Sequence, residues 1–190
     1  MTDSEKTTSR FRTVDLAYIA LFAVLMAVCA WITIPIPKPF VQFTLQTFAV
    51  FMALITLGGR RGLYVTVVYL LMGAVGVPVF SGFRGGLSVL LDTTGGYIIG
   101  FVASALVYWL VTSRLGESLP VVIAACVLGL VLCYAFGTAW FMVVYAQNSG
   151  PVGLMTALGW CVFPYIIPDL VKIALALVLQ KRLKAAIRLA

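Results

Sequence analysis

The chain has 190 residues, of which 63% are apolar or aromatic and 10% charged, and its mean hydropathy is +1.11. Soluble domains run at about half apolar and about a quarter charged, so this composition excludes an ordinary globular protein and points to an integral membrane protein. The net charge of +7 comes without a single histidine. That removes Ser-His-Asp and Cys-His catalysis, and in a membrane protein the charge reads as basic cytoplasmic loops rather than nucleic-acid binding.

Six apolar stretches follow one another at residues 14–34, 43–57, 63–80, 88–111, 121–145 and 154–179. At about 20 residues per transmembrane helix, six spans use roughly 120 and leave roughly 70 for loops and ends. The expectation is an all-α integral membrane protein of one domain over 1–190. It comprises a cytoplasmic segment at 1–13, a six-helix bundle at 14–180 and a basic cytoplasmic tail at 181–190.

The first stretch carries Ala27-Val28-Cys29, which loosely resembles a signal cleavage site, but it is too long and too closely followed by other spans, so it reads as retained. It also holds Ala23-Val-Leu-Met-Ala27, a small-xxx-small pattern that permits close helix approach, either within the chain or to a partner protein. The second and third stretches are short, and Gly73, Gly76 and Pro78 should bend or break the third near its end. Cys29, Cys126, Cys133 and Cys161 lie inside apolar runs without metal-ligand or redox spacing, so they read as small buried side chains and no metal is expected. No Gly-x-x-x-x-Gly-Lys-Ser/Thr loop is present, so active transport would draw its energy from a partner or an ion gradient.

With the amino terminus inside, the inner segments hold Lys6, Arg10, Arg12, Arg60, Arg61, Arg114, Lys181, Arg182, Lys184 and Arg188. The outer loops hold only Lys38 and Arg84, with Lys172 inside the last span. This asymmetry predicts that both termini are cytoplasmic. It also assigns depth to the uncommon polar groups. Gln42, Gln46, Ser81, Arg84, Asp92, Thr93, Thr94, Tyr97, Gln147, Asn148, Asp169 and Lys172 all fall in the outer half or near the middle, as an outward-facing solute site would need.

Asp169 and Lys172 are three apart and share a helical face. Charges at that depth cost at least a few kcal/mol and usually pair or line a cavity, so they are either a structural ion pair or a ligand site offering an acceptor and a donor. Pro164 and Pro168 just before them free a backbone carbonyl and open the helix start. Ser81-Gly-Phe-Arg84-Gly-Gly86 is a glycine-rich outer loop with one arginine, suited to a carboxylate or simply solvated. Thr93-Thr94-Gly95-Gly96-Tyr97 opens a helix with hydroxyls and amides, as a polar site or a close-packing seam.

Four segments in order carry a resemblance: Phe43-Thr-Leu-Gln46-Thr-Phe-Ala-Val-Phe, Tyr69-Leu-Leu-Met-Gly-Ala-Val-Gly-Val-Pro78-Val-Phe-Ser-Gly, Arg84-Gly-Gly-Leu with Thr94-Gly-Gly-Tyr97, and Pro164-Tyr-Ile-Ile-Pro168-Asp169-Leu-Val-Lys172. Together they resemble the BioY biotin transporter family over about residues 14 to 182. Members of that family are substrate-binding S components of energy-coupling factor transporters.

The resemblance implies a six-helix S-component fold in a bacterial cytoplasmic membrane, with biotin as transported substrate and no cofactor. It implies a membrane T component and two ATPase subunits as partners, in contact with lipid and not nucleic acid. Asp169 and Lys172 would then meet the ureido head and Arg84 the valerate carboxylate. Gln46, Gly86, Gly95, Gly96, Tyr97 and Tyr165 would line the pocket, and Ala23 and Ala27 would meet the T component. The chain departs from the family pattern twice: Asp92-Thr93 replaces the usual Gly-Pro, adding a carboxylate near the site, and Pro168 replaces a common glycine.

Two other readings stand beside this one. An S component for a flat aromatic vitamin would use stacking residues such as Tyr97, Trp160 and Tyr165. An intramembrane enzyme would need Asp92 and Asp169 as an acid pair, although neither sits in a Gly-x-Gly-Asp setting.

Overall fold

The computed structural model describes residues 13–34, 36–37 and 40–186, with side chains described through Leu183. Lys6, Arg10, Arg12, Lys38 and Arg188, counted above for orientation, lie outside the described residues, as does the side chain of Lys184. Eight helices and one small hairpin are found among the described residues. They are α1 (Thr13–Trp31), β1 (Thr33–Ile34), β2 (Phe43–Thr44), α2 (Gln46–Leu57), α3 (Gly59–Ala74), α4 (Leu87–Leu91), α5 (Gly95–Leu115), α6 (Leu119–Ser149), α7 (Leu154–Cys161) and α8 (Phe163–Ala186).

Among the described residues, four helices are long and apolar enough to cross a membrane: α1, α5, α6 and the part of α8 over Phe163–Leu183. At about 1.5 Å per residue, α2 and α3 reach roughly 18 and 24 Å, short of a hydrocarbon core of about 30 Å. They occupy the second and third expected spans. The outward faces of the long helices carry exposed Leu21, Val24 and Val28 on α1, Leu128 and Val131 on α6, and Val171 and Leu175 on α8. Such apolar stripes suit lipid, since the helical backbone satisfies its own polar groups.

Two expected spans are divided. The stretch 88–111 breaks into α4 and α5 at Asp92–Thr94, and 154–179 breaks into α7 and α8 at Val162. Pro164 supplies the reason for the second break. It has no N–H for the carbonyl one turn back, so one helix ends at Cys161 and another starts at Phe163. The expected end of the third span near Gly73 is present, as α3 stops at Ala74.

The core is built on α2, whose residues from Ala49 to Leu57 are all buried, with α1, α3, α5 and α8 packed around it. Gly58, at φ +83°, is the single residue between α2 and α3 and takes a conformation that other side chains rarely adopt. The longest seam joins α5 and α6, where Gly96, Gly100, Gly129 and Gly137 let the helices touch. A Cβ at Gly137 would lie 2.3 Å from the Tyr97 ring.

Ala23 and Ala27 are buried, as are Met26 and Ala30, on α1, which packs against α2 and α3. This burial is the within-chain use of a small-xxx-small pattern.

Contacts divide the bundle into two ends. At one end the Arg61 guanidinium is 2.9 Å from the buried Asp15 carboxylate, tying α3 to the start of α1, and the α2–α3 turn lies beside Trp109 and Glu117 near the α5–α6 turn. Arg60 and Arg114 belong to this end. The other end holds the hairpin, the 75–86 loop and the starts of α2, α5 and α8.

Candidate ligand site

That second end encloses a cavity of about 850 Å³, its open mouth included. Its walls are mainly apolar, with Phe51, Phe80, Ile98, Phe101 and Leu130 supplied by α2, the 75–86 loop, α5 and α6. Six of the predicted site residues line it: Gln46, Arg84, Tyr97, Tyr165, Asp169 and Lys172.

The polar centre is on α8. The Lys172 ammonium donates to Asp169 Oδ1 and to the Thr44 carbonyl, both at 2.7 Å, and lies 4.2 Å from the centroid of the Phe43 ring. The Tyr134 hydroxyl, from α6, donates to Asp169 Oδ2 at 2.6 Å. Asp169 and Lys172 are both buried, so each charge must be compensated locally, and each is. Position follows from the chain: three-residue spacing sets the two on one face, and the hairpin brings Thr44 and Phe43 over them. An ammonium has three donors and a carboxylate about four acceptor positions, so the cluster keeps one donor and further acceptor positions for a ligand.

The remaining polar residues brace the walls. Gln46 Nε2 donates to the Tyr69 hydroxyl at 2.6 Å, and Tyr69 donates to the Val79 carbonyl at 2.9 Å, linking α2 to the 75–86 loop. Tyr97 pairs with the Thr138 hydroxyl at 3.0 Å across the α5–α6 seam. Tyr165 donates to the Val41 carbonyl and stacks with Phe43 at 6.5 Å. Both tyrosine hydroxyls are therefore already engaged within the chain.

Arg84 sits at the mouth, about half exposed, with Nη1 3.3 Å from Asp92 Oδ2 and Nε donating to the Ser81 carbonyl at 3.3 Å. The loop that carries it is fastened to the end of α1. Trp31 donates its indole N–H to the Pro78 carbonyl at 2.9 Å and stacks on Phe83 at 4.8 Å, while Ser81 bonds Thr33 and Gln42.

Gly86, Gly95 and Gly96, also expected at the site, are not among the residues lining the cavity. Gly86 turns the chain at φ +97° and donates to the Gly73 carbonyl at 2.7 Å. A Cβ at Gly95 would fall 1.8 Å from the Leu90 carbonyl oxygen, and one at Gly96 would fall 2.2 Å from Trp140. Their small size serves the α4–α5 turn and the α5–α6 seam. Trp160 packs with Tyr145 at 5.8 Å and is likewise not in the wall.

Tyr134, Phe43 and the Thr44 carbonyl were not anticipated. Tyr134 carries a signal, as a phenol in the middle of a 31-residue apolar helix that must find a partner for its hydroxyl. The Thr44 carbonyl leaves no mark in a sequence. Cys133 and Cys161 also line the cavity, and all four cysteines are buried and unpaired as thiols. Asp92 and Asp169 are each committed to a separate cation, so they do not form the shared pair that aspartyl chemistry requires.

Comparison with known proteins adds the following. The model of the BioY family matches residues 3–189. The biotin transporter BioY of Thermotoga maritima is 37% identical over 164 residues, covering 86% of this chain and 92% of that protein. The probable biotin transporter BioY of Pyrococcus horikoshii is 35% identical over 170 residues, covering 90% and 96%. Among solved structures, the S-component for biotin from an ECF-type ABC transporter superposes with a TM-score of 0.79 at 24% identity, over 97% of this chain and 95% of that one. It shares the fold.

Proposed function

The chain belongs to the BioY family, and on that premise we propose that it is the biotin-binding subunit of an uptake transporter in the cell membrane. Its role is transport, not catalysis. The observation that carries this reading is the buried Tyr134–Asp169–Lys172 cluster in the wall of a mainly apolar cavity. Biotin has an apolar thioether body and a cyclic urea with two N–H donors beside a carbonyl acceptor. Asp169 accepts a urea N–H, and the third proton of Lys172 goes to the urea carbonyl. Apolar walls take the body, and Arg84 at the mouth meets the carboxylate through its guanidinium fork. Gln46, Tyr97 and Tyr165 hold the walls at the right separation.

The wider assembly follows from the same premise. Helices α1, α2, α3, α5, α6 and α8 provide six crossings, with both termini on the cytoplasmic side. Supporting this, Arg60, Arg61 and Arg114 gather at the end of the bundle opposite the cavity. Lacking a phosphate-binding loop, the subunit takes its energy from a membrane T component and two ATPase subunits. Ala23 and Ala27, which the family resemblance offers for that partner, lie buried on α1 in the isolated subunit.

Titration of the purified protein in detergent with biotin, followed by tryptophan fluorescence, tests the reading, with riboflavin and thiamin as controls. Saturable, selective biotin binding is expected. A folded preparation that binds one of the controls and not biotin would overturn the substrate.

A further inference from the structure

Arg84 is already occupied, and its partner is a residue of this chain. Asp92 is held firmly: Oδ1 accepts the Thr93 N–H at 2.7 Å and the Thr93 hydroxyl at 3.3 Å, and its carbonyl accepts the Trp140 indole N–H at 3.1 Å. Only Oδ2 is turned toward Arg84. The arginine is the adaptable member, carried on a segment in which Gly82, Phe83 and Gly86 all have positive φ. Its contact with Asp92 is a single long bond of 3.3 Å between half-exposed groups. Arginine and carboxylate bind best through two parallel N–H bonds at about 2.7–2.9 Å. The pair as it stands is loose enough for a better carboxylate to displace.

We propose that Asp92 determines specificity at the cavity mouth, as an internal counter-ion for Arg84 that an incoming ligand carboxylate must displace or share. The proposal rests on the reading above, in which biotin enters with its carboxylate toward Arg84. An acid then meets one cation and a fixed anion, so Asp92 weakens binding of the acid without touching a ligand whose tail is neutral. Asp92 thereby narrows the affinity gap between carboxylate-ended and amide-ended ligands.

The test measures affinities for biotin and for its primary amide, in the wild type, Asp92→Asn, Arg84→Gln and the double variant. Asp92→Asn should tighten biotin by about two- to five-fold, the scale of an exposed ion pair, and leave the amide unchanged. High salt should compress the gain. In the Arg84→Gln background, Asp92→Asn should no longer alter the acid-to-amide ratio through the arginine, so the gain should shrink. Equal weakening of both ligands in Asp92→Asn would make Asp92 a brace for the loop and overturn the proposal, as would an unchanged acid-to-amide ratio. Failure of the wild type to bind biotin would overturn the substrate reading itself, and the proposal with it.

Discussion

Two carboxylate–cation pairs flank one cavity, and their contrast explains how the site is built. Asp169 and Lys172 are 2.7 Å apart with side-chain exposures of 6% each, whereas Arg84 and Asp92 are 3.3 Å apart with exposures of 45% and 44%. The inner pair sits on consecutive turns of one helix, and Tyr134 and the Thr44 carbonyl complete it. The outer pair joins a glycine-flanked loop to a helix start. Burial makes the inner pair costly to disturb and selective for the group it meets; exposure makes the outer pair weak, screened and exchangeable. On the proposed reading, recognition of the ligand head and admission of its tail use the same chemistry in two dielectric settings.

The strongest way to break this contrast is to remove one inner partner. Lys172→Met leaves Asp169 buried and unpaired, which costs about 3–5 kcal/mol. A fall in melting temperature and a loss of biotin affinity of at least about 100-fold are expected together, read by thermal unfolding and titration. Ala27→Leu sets a reference away from both pairs. Overpacking a closed helix contact costs about 1–3 kcal/mol, so its melting temperature should drop while the folded fraction keeps its biotin affinity.

Tyr134→Phe sharpens the comparison within the inner cluster. It deletes one charge-assisted hydrogen bond, and roughly ten-fold weaker biotin binding is expected with little change in cavity shape. Arg84→Gln should have a smaller effect than loss of the inner pair, about three- to ten-fold, and it should fade as ionic strength rises. Salt should leave the Tyr134→Phe effect unchanged. A strong salt dependence there would place the inner cluster in contact with solvent and erase the distinction.

The readability of each part in the sequence followed its physics. Uninterrupted apolar length made α1, α5, α6 and α8 visible. The breaks at Asp92–Thr94 and Val162 were harder to read because α4 and α7 continue the apolar runs, although Thr93–Tyr97 read as a helix opening and Pro164 marked the second. Asp169 and Lys172 stood out because charge inside an apolar run is expensive. Tyr134 did not, since a tyrosine counts with the apolar residues until its hydroxyl needs a partner. Gly95, Gly96, Ala23 and Ala27 are ambiguous for another reason. A small residue looks the same in sequence whether it admits a ligand, a partner protein or a neighbouring helix, and here all four admit the chain's own atoms. Asp92 appeared as an extra carboxylate without a role, and the Arg84 contact supplies one.

The central claim is that the buried carboxylate of Asp169 reads an N–H of the ligand head. Its most direct test compares biotin with an analogue methylated on one urea nitrogen, titrated into the wild type and Asp169→Asn. The account predicts that the wild type strongly prefers biotin and that Asp169→Asn loses both the affinity and most of that preference. Retention of wild-type affinity and preference by Asp169→Asn would contradict it.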